Sequence, residues 1–358
     1  MRFTLDDDQA MIQDAVRRFA EAEVGPRARE VDESARFWGR ELDAVAALGL
    51  LAMAVPEAAG GSGLDPVAAA AAVEELARQD GALAAAVAHH AVAATALDRV
   101  GGVALQAWLP RLAEAAGAAE GHRGLAVLVD GGGLRTEHSQ DGLRVTGELG
   151  FVPMGAAAGV LLLRTGDSLA AVELAGPGVT RTPVAGALGL RGLGWAHVRL
   201  EGAPAEGSAP DLAGAWAEVE ATRAVLLGAV SVGLAGAALT AARGYALERK
   251  QFRRPIADFQ AIQWKLADVA TETDAARLMV LRAAERLRRG APAGPAGAQA
   301  RLLAAPVAVK AGYEAVQIFG GNGFVREYGV ERMLRDAQVL ASVAGAPAEA
   351  VARSLLEL

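Results

Sequence analysis

Residues 248–260 read ERKQFRRPIADFQ, a dense cluster of charge set between two long helix-forming runs. Pro255 lacks a backbone N–H and its ring clashes with the preceding helical turn, so it favours a helix break there. The run before it, from about Asp211, and the run after it, QAIQWKLADVATETDAARLMVLRAAERL, are therefore two helices broken near RRPI. The Gly/Pro-rich segment APAGPAGA (291–298) parts the second helix from the rest of the chain. Beyond it, AVQIFGGNGFVREYGVERMLRDAQ (315–338) carries two chemistry-bearing stretches, a glycine turn and a charged helix.

Working back from there, the chain changes character twice. Residues 122–207 hold LAVLVD, LRVTGEL, GVLLLRT, LAAVEL, GVTRTPV and AHVRLEG, short β-branched or alternating runs separated by Gly, Asp and Pro. These predict a small antiparallel sheet or barrel, with EGAPAEGSAP (201–210) as a linker after it. Residues 1–121 are helical in pattern. Asp6–Asp8 can cap a helix whose apolar positions Met11, Ile12, Val16 and Phe19 recur at helical spacing. A second helix fits ELDAVAALGLLAMAV (41–55), the glycines of PEAAGGSGLD mark a loop, and Pro66 opens an Ala-rich helix carrying VEELARQD. A further short helix fits QAWLPRLAEAA. The fold class is thus mainly α with a middle β domain, the expected boundaries being 1–121, 122–207 and 208–358.

Composition narrows the functions open to such a chain. Of its 358 residues 53% are hydrophobic but only 4% aromatic, which supplies a core and favours close-packed helices. A net charge of −7 argues against a general nucleic-acid binder, whose affinity comes largely from neutralising phosphates. The absence of cysteine excludes disulfides, thiolate metal sites and a Cys nucleophile. The acidic start MRFTLDDDQA does not fit a signal peptide. One uncharged run, Ala224–Ala242, is long enough to span a bilayer, but its glycines, Ser231 and Thr240 make it weakly apolar, and no second such run is apparent. It is expected to be a buried bundle helix of a soluble, cytoplasmic protein with no membrane span.

Several residues in the last third carry chemistry. Arg249 offers a planar fork of donors suited to phosphate, and Gln317 offers a side-chain amide. Gly320, Gly321 and Gly323 let backbone approach a ligand closely and expose N–H groups to it. On spacing alone, a helix end with glycine caps is the favoured explanation of the same pattern. The order of the motifs is more specific. GLLAMAVPEAAGGSGLD, VEELARQD and WLP, then LGLRGLGWAHVRL, then TRAVLLGAV, ERKQFRRPIADFQ, QIFGGNGF and MLRDAQ make the chain closely resemble the acyl-CoA dehydrogenase family of flavoproteins along nearly its whole length.

That resemblance implies an N-terminal helical domain, a middle β-barrel and a C-terminal four-helix bundle. It implies FAD, an acyl-CoA substrate and α,β-desaturation, with a glutamate removing the α-proton while a hydride leaves the β-carbon. It also implies that each flavin is shared across a subunit interface. The reaching residues would be Arg249, Gln251, Phe252, Gln317, Gly320 and Gly321. An electron-accepting flavoprotein is a further implied partner.

The sequence departs from the family at the reacting centre. The family glutamate after RDA falls on Ala344, followed by a matching Gly345, and the flavin-contacting threonine falls on Ala346. The alternative base position, just before a bundle arginine, is Thr222 ahead of Arg223. Glu349 and Glu220 are the nearby carboxylates, but Glu220 and Thr222 point roughly 200° apart on a helix. The family's flavin-side loop after the first barrel strand is replaced by the shorter DGGGLRTEHSQDG, and its flavin-side tryptophan corresponds to Phe151. No catalytic residue is therefore assigned. The chain resembles the base-deficient partner in a heteromeric acyl-CoA dehydrogenase. The alternatives are a self-sufficient enzyme with a relocated base, and a helical binding or scaffold protein without flavin, homo-oligomeric or not.

The remaining candidates have ordinary explanations. His89 and His90 lack the spacing of a helical metal pair, and His122, His138 and His197 show no partner pattern. Arg286–Gly290 fits a solvated helix end, where cations suit the dipole. Trp264 and Leu266 are expected in the core.

Overall fold

The structure is a computed structural model that describes residues 4–114, 124–139, 142–207, 214–343 and 347–356. The expected boundary at 121/122 lies outside the described residues, and that at 207/208 lies at their edge. The first layer is helical: α1 (Asp7–Phe19), α2 (Gly25–Ser34), α3 (Arg40–Ala47), α4 (Pro66–Gln79), α5 (Gly81–Val100), α6 (Gly102–Gln106) and α7 (Leu109–Ala113). A capping box starts α1, the Asp6 carboxylate accepting from Gln9 N–H while the Gln9 side chain accepts from Asp6 N–H. Val16 is buried and Ile12 and Phe19 pack on the core, whereas Met11 faces solvent.

The structure departs from the sequence pattern at two places in this layer. The helix expected over 41–55 ends at Ala47, because Gly49 takes a left-handed φ of 76° and turns the chain. The twenty-residue α5 gives no sequence signal because its alanines are apolar all round and form no amphipathic stripe. It is the buried centre of this layer, capped by Asp80, whose extended backbone also separates it from α4.

The second layer is one seven-stranded sheet: β1 (Ala126–Asp130), β2 (Arg135–Ser139), β3 (Gly142–Val152), β4 (Val160–Thr165), β5 (Ser168–Glu173), β6 (Val179–Pro183) and β7 (Ala196–Gly207). The order is β1-β4-β5-β7-β3-β2, with β6 also paired to β7. All pairs are antiparallel except β1 with β4, which run parallel with Ala126 opposite Val160. The expected linker over 201–210 is overturned for residues 201–207. They continue β7, with Ala203 opposite Val145 on one side and Gly207 opposite Ala170 on the other. Pro204 is accommodated although it brings no ladder donor. β2 is silent in the sequence because RTEHS has no apolar alternation.

The third layer holds α8 (Ala215–Glu248), the hairpin β8 (Lys250–Gln251) and β9 (Arg254–Pro255), α9 (Gln260–Arg288), α10 (Gly294–Phe319), α11 (Val330–Ser342) and α12 (Pro347–Leu356). The break at Pro255 is the expected one. Helix α8 is the spine of the molecule and touches α4, α5, α9, α10 and α11. Its small residues allow this: a Cβ on Gly233 would lie 2.4 Å from the Glu74 carbonyl of α4. On length and composition alone two segments are apolar enough to cross a membrane, Ala215–Glu248 and Gly294–Phe324, not one as expected. Both pack within the bundle. Leu266 packs on the core, but Trp264 is 61% exposed and does not belong to it, since it falls on the outer face of α9.

Candidate functional site

The two stretches that carry the implied flavin residues are far apart in sequence and adjacent in space. Helices α8 and α10 run side by side, and their C-terminal ends meet through Tyr245, whose ring stacks on Phe319 at 4.1 Å. Asn322 closes the junction, its amide donating 3.1 Å hydrogen bonds to the hydroxyls of both Tyr245 and Tyr328. Arg249 lies one turn after Tyr245 as the C-cap of α8, and its carbonyl accepts from Ile256 N–H to close the β8–β9 hairpin. At the tip of that hairpin Phe252 and Arg253 take positive φ values of 50° and 68°. Gly320, at a φ of 59°, ends α10 and starts a 3-10 turn through Phe324.

Arg249, Gln251, Phe252, Gln317, Gly320 and Gly321 are all exposed at this end of the bundle. The Arg249 guanidinium and the Gln317 amide make no hydrogen bond or ion pair among the described residues. A Cβ on Gly320 or Gly321 would meet nothing within 4 Å. Only Gln251 is engaged, with the Lys250 carbonyl. Around them Phe252 (88% exposed) and Phe324 (77%) stand out from the surface, with Leu247, Val325 and Tyr328 beside them. A free guanidinium, a free amide and open glycine backbone suit a phosphate-bearing ligand such as FAD. The apolar side chains suit a protein surface laid over it.

A different place holds the residues near the implied base. Ala344, Gly345 and Ala346 lie outside the described residues, but Val343 and Pro347 on either side of them line a cavity of 550 Å³. Glu220, Arg223, Arg301 and Asp130 line it too. Thr222 does not: it faces a separate cavity of 430 Å³ between α4, α5, α8 and α9, as the turn of a helix requires. Glu220 is held by Arg164 at 3.3 Å and by Arg223 at 3.5 Å. Glu349 points elsewhere and pairs with Arg353 at 2.6 Å on α12. In the Thr222 cavity the carboxylates of Asp98 and Glu218 flank Arg99, at 3.4 and 3.1 Å, and Asp65 caps α4.

The sheet face implied to lie by the flavin is open. Phe151, at a φ of 51°, is 63% exposed and meets His197 edge-on at 5.1 Å. Pro153 beside it has no N–H to offer a ligand. The β1–β2 connection is a tight turn, with Leu134 N–H on the Gly131 carbonyl at 2.8 Å.

The other family-like motifs turn out to be fasteners between layers. Glu74 and Glu75 of VEELARQD are buried and take Arg277, Arg78 and Arg17 as partners from α9, α4 and α1. Arg335 of MLRDAQ clasps Asp32 of α2 at 2.6 Å and donates to the Leu188 carbonyl. Its neighbour Asp336, fully buried, accepts from Leu190 N–H at 2.5 Å. Arg332 pairs with the buried Asp80, which also accepts from Trp38. LGLRGLGW is thereby pinned between the helical layers.

His89 and His90 are packing residues. His90 is fully buried, accepts from Ala126 N–H at 3.1 Å, and is pulled down to about 4 by burial. His89 is pulled down to about 3 by burial and by the charges of Arg223 and Arg301. His138 and His197 sit exposed on strands, and His122 lies outside the described residues. No metal-holding cluster occurs among the described residues. Arg288 and Arg289 bridge Glu285 at the end of α9, the expected solvated helix end.

Sequence reasoning missed Arg301. It is 2% exposed, yet pairs with no carboxylate among the described residues. The signal was available: between Gly290 and Val309 it is the single charged residue.

Comparison with known proteins agrees with this architecture. The family model described as acyl-CoA dehydrogenase, N-terminal domain, matches residues 6–116, and acyl-CoA dehydrogenase, C-terminal domain, matches 215–355. A probable acyl-CoA dehydrogenase of Bacillus subtilis is 35% identical over 95% of both chains. The solved butyryl-CoA dehydrogenase of Megasphaera elsdenii superposes with a TM-score of 0.90 at 25% identity, over 99% of this chain and 100% of that one. A chain from a structural study of the electron transferring flavoprotein of Acidaminococcus fermentans superposes at 0.89 and 27%, with the same coverage. With both terminal domains matched and relatives aligned end to end, this chain belongs to the acyl-CoA dehydrogenase family.

Proposed function

We propose that the chain takes part in FAD-dependent α,β-desaturation of an acyl-CoA thioester as the subunit that completes a neighbour's flavin site. The observation that carries this is the exposed end of the bundle. There Arg249 and Gln317 have no partner among the described residues, Gly320 and Gly321 leave backbone open, and Phe252 and Phe324 face solvent. A chain that used these groups on its own flavin would fold them inward. When bound, FAD would supply the hydride acceptor. Arg249 would hold its pyrophosphate, and Gln317 with the Gly320–Gly321 backbone would hold its polar edge.

The carboxylate that takes the α-proton would come from the partner, a homologous acyl-CoA dehydrogenase chain. The alanine at 344 has no group to accept a proton. The exposed Phe151 face, with Pro153 in place of a donor, supports a weakened cradle on this chain's own side. Likeness to a chain solved in a study of an electron transferring flavoprotein supports such a protein as electron acceptor. Purification of the chain with and without a glutamate-bearing homologue tests the proposal. The complex should be yellow and oxidise acyl-CoA, and the chain alone should do neither.

One observation favours a second reading. Glu220 lines the same cavity as Val343 and Pro347, the neighbours of the missing base. If the chain is self-sufficient, Glu220→Gln should abolish its turnover while leaving flavin bound; unchanged turnover would exclude Glu220.

A further inference from the structure

The 550 Å³ cavity at the start of α10 has an apolar wall and one buried cation without a carboxylate partner among the described residues, Arg301. Gly294, Ala298 and Arg301 fall on one face of α10, at i, i+4 and i+7, and all three line it. The Arg301 guanidinium is buried between three helices. It donates to the Leu227 carbonyl at 3.1 Å and Ser231 Oγ at 3.0 Å on α8, and to the Leu340 carbonyl at 2.6 Å on α11. These acceptors are neutral, and its Nε–H has no acceptor among the described residues. A buried cation without a counter-ion is costly to keep.

The helix end adds to the same field. α10 begins at Gly294 with no side-chain cap, so the first-turn N–H groups of Gly294 and Ala296 point outward without side-chain acceptors. Arg223 lines the cavity as well, but its charge is paired with Glu220. The two carboxylates present are already engaged. Glu220 lies between Arg164 and Arg223, and Asp130 accepts from Gly132 N–H at 2.9 Å. Burial lowers Arg301 only to about 10, so it stays charged at neutral pH.

We propose that this cavity is a carboxylate-binding site. A ligand on a short apolar chain sets its carboxylate against Arg301 and the first turn of α10, and its chain against Ala217, Ala224, Leu227 and Val343. The carboxylate belongs either to a free acid or to the far end of a dicarboxylic acyl thioester. Neither requires flavin or a partner subunit, so the test uses the chain alone and its failure leaves the proposed function untouched.

Titration calorimetry with hexanoate and with its neutral isostere hexanamide reads the charge directly. Hexanoate should bind at least ~10-fold more tightly, the share of a charge-assisted hydrogen bond. Arg301→Met removes three inter-helix bonds and can unfold the bundle. Ala298→Leu instead fills the cavity, leaves those bonds in place, and should weaken hexanoate at least ~10-fold. Displacement of hexanoate by adipoyl-CoA but not hexanoyl-CoA would place the carboxylate on a thioester, and displacement by adipate alone on a free acid; both support the site. Equal binding of the acid and the amide, no binding at millimolar concentration, or indifference to Ala298→Leu would overturn it.

Discussion

Replacing Asp336 by asparagine should stabilise the protein at high pH and leave it almost unchanged in acid. Asp336 is 2% exposed and its carboxyl is pushed up from 3.8 to about 7. Burial is the main cause, Asp80 and Asp32 add to it, and Arg332 and the Leu190 N–H oppose it. Between those two values the folded protein holds a proton that the unfolded chain has released. The native state then binds more protons, so stability falls as pH rises through this window. A displacement of about three pH units corresponds to ~4 kcal/mol. Asparagine mimics the protonated acid and keeps an oxygen for Leu190 N–H. Asp336→Asn should therefore lie within about 1 kcal/mol of the parent near pH 4.5 and be more stable by up to ~4 kcal/mol near pH 8. Urea unfolding followed by tryptophan fluorescence at a series of pH values measures the difference, in which titrating groups remote from Asp336 cancel. A variant that is less stable throughout, or whose advantage shrinks as pH rises, would refute the reasoning.

The buried imidazole of His90 works in the opposite sense. Its folded value of about 4 lies below the ordinary 6.5, so its contribution is present above pH 6.5 and is lost as pH falls through that window. His90→Gln should remove up to ~3 kcal/mol of acid sensitivity, read from the same unfolding curves. Gly189→Ala would bring a Cβ to 2.3 Å from the Arg335 carbonyl, so it should cost ~1–3 kcal/mol and lower the melting temperature. Arg249→Ala should leave melting unchanged but loosen flavin from the complex with a homologous subunit by ~10–100-fold, measured by equilibrium dialysis.

What the sequence reveals depends on how local the cause is. Pro255 breaks a helix, Pro66 opens one and Asp6 caps one by chemistry confined to a few residues, and the structure agrees with each. The geometry separating Thr222 from Glu220 was likewise readable from the helical turn. α5 was not, because a helix buried on every side carries no periodicity. β7 continues through Pro204 because pairing with β3 and β5 outweighs the local signal of a linker. Trp264 shows the limit of composition: a large apolar side chain sits on the surface of α9. The residues that the resemblance assigns to a flavin rest on motif order. That Tyr245, Phe319 and Asn322 hold their two segments together needed three dimensions.

Flavin bound per chain, measured after purification alone and together with a homologue that carries the glutamate, tests the proposed role most directly. The chain alone should hold little flavin and oxidise no acyl-CoA, and the complex should be yellow and active and should hold flavin ~10–100-fold more weakly when Arg249 is replaced by alanine. One flavin per chain and acyl-CoA oxidation without any partner would contradict that role.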